Sequence, residues 1–351
     1  MKKILVLILS ITMVFGLVSC GSKSTPSTEE PSTSDSEATQ APADTDTDTD
    51  TAQPTDDAKT YYVGICQLVQ HPALDAATKG FRDALTEKLG DKVIFDEQNA
   101  AGDSATCATI SNQFVSSKYD LIMANATSAL QAAASSTSTI PVLGTSVTDY
   151  GTALDIDNWS GVTGYNVSGT SDLAPLDKQA DMIKELFPDV KNIGILYCSG
   201  ESNSKYQSSV IMGYLKDMGY TCTEYTFADT NDVASVTQNA CANSDIIFIP
   251  TDNTAASCTE AINNVAEPAG VPIVTGEEGI CKGCGVATLS ISYYDLGYTT
   301  GEMAYDILVN GADITKMEVK YAPNVSYKYM SDRAAKLGVT IPDTYEAIAA
   351  E

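Results

Sequence analysis

The 351-residue chain carries 46 acidic residues against 20 basic ones, a net charge of −26, and holds one histidine, one tryptophan, 18 tyrosines and nine cysteines. Acidity on this scale excludes a basic face for nucleic acid and disfavours direct adhesion to anionic lipid. A single histidine (His71) excludes a multi-histidine metal site and leaves no nucleophile–base pair for a hydrolase, and no GxGxxG or GxxxxGKS loop is present, so neither an enzyme nor a cofactor is expected.

The chain opens with Lys2 and Lys3, then an apolar run from Ile4 to Val18 that ends in Leu17-Val18-Ser19-Cys20. The run falls short of the ~20 residues a spanning helix needs and has the layout of a secretory signal. Small residues before a cysteine resemble a bacterial lipoprotein box. That resemblance implies cleavage after residue 19, lipid on Cys20 and a protein tethered outside the cytoplasm. Residues 20–58 follow, rich in Ser, Thr, Pro, Asp and Glu, with the run Asp44-Thr45-Asp46-Thr47-Asp48-Thr49-Asp50. Without large apolar residues they cannot offset the entropy of ordering, and they are read as a disordered acidic linker.

From Tyr61 short apolar runs alternate with amphipathic stretches. The pattern predicts strands at Tyr61–Gln67, Val93–Phe95, Asp120–Met123 and Ile140–Leu143, with helices over Leu74–Leu89, Asp103–Ser116 and Thr127–Ser135 between them. The same order recurs. Strands are predicted at Asn192–Tyr197, Thr221–Phe227, Asp245–Ile249 and Val271–Val274, with helices over Asn203–Met218, Asp232–Asn243 and Thr254–Glu267. A strand at Val286–Ile291, a helix over Tyr293–Asn310, a short strand at Met317–Tyr321 and a helix at Ser331–Leu337 complete the chain. Continuous apolar strands separated by helices mean a parallel sheet covered on both faces. The repeat predicts two doubly wound, Rossmann-like α/β lobes, and about 290 residues are ample for both. A tail too small for a third lobe is expected to cross back, giving a three-crossing hinge near residues 163–169, 287–292 and 318–323. Lobe one is then 59–165 plus about 292–318, and lobe two is 166–291 plus about 319–351.

Ligands of open parallel sheets bind beyond the carboxyl ends of the strands. The candidate ligand-binding residues there are Gln67, His71, Thr127, Ser128, Thr148 and Asp149 in lobe one, and Glu201, Asn203, Ser204, Asp252, Asn253 and Glu278 in lobe two. Thr127-Ser128 and Asn203-Ser204 open helices whose free N–H groups suit a carboxylate. Glu201, Asp252, Glu277 and Glu278 suit an ammonium, so the pairing fits a zwitterion. Tyr150, Tyr293 and Tyr294 are candidates for lobe packing or an apolar subsite. Cys281-Lys282-Gly283-Cys284 is a lone CxxC, read as a local disulfide or two idle thiols rather than a metal site.

The phrases QLVQHPALD (Gln67 to Asp75), ATSALQ (Ala126 to Gln131), TSVTD (Thr145 to Asp149), ESNS (Glu201 to Ser204) and the segment Ser290 to Gly301 resemble the ABC-transporter substrate-binding lipoproteins of the tryptophan/tyrosine type. The resemblance runs from about Tyr61 to the C-terminus; the CxxC pair departs from it. It implies a type I periplasmic-binding fold that closes on a small ligand, with Thr127, Ser128, Asn203 and Ser204 holding polar groups and Asp252 and Glu278 facing them. The expected function is capture of a small molecule, an aromatic amino acid foremost, for an ABC permease and its ATPase. The expected protein is a monomer held to the membrane by lipid alone. The alternatives are a sugar or nucleoside receptor and a sensory receptor that presents its ligand.

Overall fold

The computed structural model describes residues 59–322 and 324–349. The leader, Cys20 and the acidic segment to residue 58 lie outside the described residues.

The first sheet begins with β1 (Tyr61–Gln67), β2 (Val93–Asn99), β3 (Leu121–Asn125), β4 (Val142–Val147) and β5 (Val167–Ser171). Their spatial order is β2-β1-β3-β4-β5, all parallel, with the two-residue strand β11 (Lys320–Tyr321) added beside β5. The second sheet repeats the order as β7 (Thr221–Phe227), β6 (Asn192–Cys198), β8 (Ile246–Ile249), β9 (Ile273–Thr275) and β10 (Ala287–Ile291). It then gains β12 (Val325–Tyr329), antiparallel to β10, and β13 (Glu346–Ala347). The molecule is thus two doubly wound α/β lobes. In each, strand order reverses between the first and third strands, where such sheets bind ligands.

Helix α1 (Pro72–Leu89) shows how the sequence builds these layers. Pro72 fits the first helical position, where its missing N–H costs nothing. Leu74, Ala77, Phe81, Ala84 and Leu85 recur at helical spacing and are buried. The partner of α1 is α11 (Tyr293–Leu308), from the far end of the chain. The contact is made at glycines: a Cβ on Gly297 would lie 1.9 Å from the Ala77 carbonyl oxygen, and one on Gly80 would lie 2.1 Å from that of Tyr294. Helix α2 (Ser104–Ser116) is capped by Asp103, whose carboxylate accepts from Thr106 N, and α3 (Thr127–Ser136) and the single turn α4 (Tyr150–Ala153) follow β3 and β4.

The chain leaves the first sheet after Ser171, not at the boundary of 165 drawn from sequence, and enters α5 (Leu176–Leu186) on the second. β5 reads Val-Ser-Gly-Thr-Ser, and one aliphatic residue in five gives little strand signal. The chain returns between β10 and α11, and crosses again between β11 and β12, past residue 318. The three crossings pack around one apolar cluster of Ala174, Ile291, Tyr293 and Leu296 with Ala73 and Ala77, against which Ala322 and Val325 lie.

In the second sheet α6 (Ser202–Asp217) follows β6, and α7 (Val233–Asn243) follows β7. The single helix predicted over Thr254–Glu267 is two, α8 (Asn253–Ser257) and α9 (Thr259–Ala269), broken at Cys258. The CxxC motif lies on α10 (Glu278–Cys284), and every described cysteine is a free thiol. Burial pushes the thiols of Cys281 and Cys284 up, so both stay protonated and behave as small apolar groups. The carboxyl end of α10 is clamped by Arg333 of α12 (Ser331–Leu337). Its guanidinium donates to the carbonyls of Cys281, Lys282, Gly283 and Gly285 at 2.6–3.1 Å.

Candidate functional site

The carboxyl ends of both sheets face one cleft, which has an inner and an outer part. The inner cavity is lined from lobe one by His71, Leu74, Ser146 and Thr148, and from lobe two by Asn203, Thr251, Asp252, Asn253, Ala256 and Glu277. Asp172 and Tyr293, both on crossings, complete the lining. It encloses about 10 Å³, room for roughly one water. The outer cleft, about 320 Å³, lies among Leu68, Val69, Gly102, Ser104 and Ser128 on one side and Cys198, Glu201, Thr230, Asn253 and Thr254 on the other. That volume is near the ~300 Å³ at which small-molecule sites begin. Asn253 lines both spaces.

Acids dominate lobe two. Asp252 caps α8: Oδ1 accepts from Ala255 N at 2.7 Å, and Oδ2 accepts from Cys198 N and the Ser204 hydroxyl, each at 2.7 Å. Burial, reinforced by the neighbouring Glu201, pushes its pKa up to about 8. Glu277 caps α10 and accepts from Gly279 N at 2.6 Å and from Ile280 N; burial pushes its pKa up to about 7. Glu201 accepts from Asn253 N and Nδ2, from Thr254 N and Oγ1, and from Asn203 Nδ2, all within 3.0 Å. At the hinge, Asp172 accepts from Thr148 Oγ1 and from the Tyr293 hydroxyl, each at 2.9 Å, and burial raises its pKa.

No Lys or Arg is among the residues lining the inner cavity. Three buried carboxyls with no lining cation are held toward their protonated forms by raised pKa values, and a guest bearing positive charge would suit them. The N-termini of α8 and α10 offset part of the burden, since Asp252 and Glu277 cap their donor-rich first turns, whereas Asp172 relies on two hydroxyls.

The lobes touch across this cleft. His71 Nε2 is 3.3 Å from Asn253 Oδ1, and Gln207 Nε2 donates to Thr148 Oγ1 at 3.3 Å. Both bonds are long, and a net value of about 1 kcal/mol each makes separation of the lobes inexpensive. Passage of any solute larger than water into the inner cavity requires that separation.

Of the residues expected from sequence, His71, Thr148, Asn203, Asp252 and Asn253 line the inner cavity, and Ser128, Glu201 and Asn253 the outer cleft. The rest sit elsewhere. Gln67 is spent inside lobe one, donating to Asp75 Oδ1 and Val69 O and accepting from Thr78. Thr127 is buried without lining either space. Asp149 caps α4 through Thr152 N. Ser204 is fully buried and acts through Asp252. Glu278 points out of the cavity to Lys328 Nζ at 2.5 Å, and its neighbour Glu277 takes the inward place. The residue at an N-cap turns back toward the helix start while the next turns away, and adjacent acids hide that difference in a sequence.

Ser146, Asp172, Thr251 and Tyr293 are further lining residues. Ser146, Thr251 and Glu277 lie two or three residues beyond the predicted strands ending at Leu143, Ile249 and Val274. Ser146 sits at a bulge in β4 with φ 54°, a left-handed conformation unusual for a residue with a side chain. Asp172 follows the weakly marked β5, so the strand end that would have drawn attention to it was not visible.

Two doubly wound lobes closing on an acid-lined cleft through a three-crossing hinge define a bilobal solute receptor. The comparisons with known proteins agree. A model of ABC transporter substrate-binding proteins matches residues 62–351. A tyrosine-binding protein of Clostridioides difficile is 38% identical over 260 residues, 72% of this chain and 74% of that protein. An ABC domain in complex with L-Trp from Streptococcus pneumoniae superposes with a TM-score of 0.79 at 33% identity, over 83% of this chain and all of that one. A ligand-free, open substrate-binding protein with adhesive properties from Clostridium difficile gives 0.65 at 34% identity over the same share. The chain belongs to the ABC transporter substrate-binding protein family. Its fold is that of a type I periplasmic binding protein, and the family binds solutes rather than transforming them.

Proposed function

We propose that the protein captures an aromatic amino acid between its lobes outside the cytoplasm and delivers it to an ABC permease driven by an ATPase. The observation that carries the ligand class is the set Asp172, Asp252 and Glu277 around an inner cavity without a basic side chain. The ammonium of the amino acid belongs there, and its side chain extends toward the outer cleft, where Leu68, Val69, Cys198 and Ala228 offer apolar surface. The tyrosine-binding and L-Trp-bound relatives support the same class. The motif ending at Cys20 supports export and a lipid tether, and the receptor acts as a monomer.

Thermal unfolding with and without ligand tests this. Tyrosine, tryptophan or phenylalanine at 100 times its dissociation constant should stabilise the protein by about 2.7 kcal/mol. Glucose and a nucleoside should not. A shift with the sugar or nucleoside and none with the three amino acids refutes the reading.

A further inference from the structure

We propose that His71 accepts a hydrogen bond from the ligand's ammonium through Nδ1, with the proton on its ring placed by Asn253 and Glu201 of the opposite lobe. The inference rests on the cleft being the amino-acid site. It begins at Glu201. Every contact on this carboxylate is with a donor, and the Asn253 amide nitrogen is 2.7 Å from Oε2. The amide is therefore turned with its nitrogen to Glu201 and its oxygen to His71. That oxygen can only accept, so the His71 nitrogen at 3.3 Å, Nε2, carries the hydrogen. Burial favours the neutral ring, against the opposing pull of Asn253, Glu201 and Asp75. A neutral ring with its proton on Nε2 leaves a bare lone pair on Nδ1.

That lone pair is unused. Nδ1 is buried without a hydrogen-bond partner, on a side chain 7% exposed that lines the inner cavity. The Ser146 and Thr251 hydroxyls, lining the same cavity, are also buried and unpartnered. Three open polar atoms around one space are a template for a polar guest, because buried polar groups are normally paired. Nδ1 is the one that cannot donate. Among cavity acids it adds a neutral acceptor, which suits the third N–H of an ammonium already held by carboxylates.

The relay spans the cleft, since His71 lies ahead of α1 in lobe one while Asn253 and Glu201 belong to lobe two. Closure therefore sets the tautomer. As the chain has one histidine, isotope-labelled histidine gives a single ring to follow by nitrogen NMR. With tyrosine or tryptophan bound at neutral pH, the ring should be the Nε2-protonated neutral form. Its Nδ1 resonance should move on titration. Asn253→Ala should return the ring to a mixture of tautomers. His71→Phe should weaken binding by about tenfold without lowering the unfolding midpoint of the free protein.

An amino acid that binds while Nδ1 stays unmoved, or a ring protonated on Nδ1 in the complex, overturns the proposal and leaves the proposed function standing. Unchanged affinity in His71→Phe does the same. If none of the three aromatic amino acids binds, the proposed function fails instead. The ring of the protein alone then decides the relay: the Nε2-protonated form supports it, and the other tautomer overturns it.

Discussion

The two walls of the cleft are built on opposite plans. Lobe two presents carboxyls whose oxygens are already supplied with donors, chiefly the first turns of α8 and α10. Lobe one presents neutral groups, two of them, His71 and Ser146, with buried atoms that have no partner. The acid wall is thus largely hydrogen-bonded before anything arrives, with the Thr251 hydroxyl still open, and the neutral wall has more bonds to make. Under the proposed function this contrast predicts an order, in which the ammonium docks on lobe two and lobe one closes to complete its contacts.

The largest effect that would break this contrast is the pH dependence of stability. In the arrangement described, Glu277 and Asp252 have pKa values of about 7 and 8, above their ordinary 4.5 and 3.8. A carboxyl with a raised folded pKa stabilises fully below its unfolded pKa, and that stabilisation is lost as pH rises through the folded one. His71 works the other way. Its lowered pKa contributes stability above 6.5 that is lost as pH falls. Two acids outweigh one imidazole, so the ligand-free protein should melt higher at pH 5 than at pH 8.5. The difference should be on the order of a few kcal/mol. Aromatic amino acids should bind more tightly across the same rise and release protons near pH 7, seen by calorimetry in two buffers of different ionisation enthalpy. A flat melting profile, or binding without proton release, contradicts the acid wall.

Next in size is Glu277→Gln, which keeps the side chain's shape and removes the charge. Affinity for the amino acid should fall about 100-fold, while the free protein at pH 8 should lose no more than about 1 kcal/mol, the lost cap acceptor being offset by removal of a buried charge. Lost stability with unchanged affinity would reduce Glu277 to a helix cap. The smallest effect sharpens the comparison from the other wall. Ser146→Gly should stabilise the protein by about 1 kcal/mol, since glycine takes the left-handed φ without strain. The same change should weaken binding two- to tenfold through the lost hydroxyl. Stability and affinity moving together would place Ser146 in the packing rather than the site.

Much of the molecule is legible in its sequence. The tandem pattern is written in aliphatic strands such as Tyr61–Gln67 and Asn192–Tyr197, whose period and order need no tertiary information. β5 is not legible, because a buried strand of Ser, Thr and Gly looks like a loop until its neighbours are known, and with it went the crossing position and Asp172. β12 escaped for the opposite reason: its alternating Val-Ser-Tyr-Lys-Tyr makes an antiparallel strand, next to the edge, in a sheet otherwise expected to be parallel. The site was readable to the level of the loop. Which of two adjacent acids turns inward, and which hydroxyl is left unpaired, depends on helix starts and bulges a residue wide.

The grip of Arg333 on α10 ties the C-terminal tail to recognition. α10 is a seven-residue rod with the acid Glu277 at its front and a single guanidinium fastening its back. Loss of the Arg333 guanidinium alone would loosen the back of α10 without touching a cleft residue, and the slack would reach Glu277 at the inner cavity. The last stretch of the chain in this sense braces, from behind, the helix that seats an acid of the inner cavity.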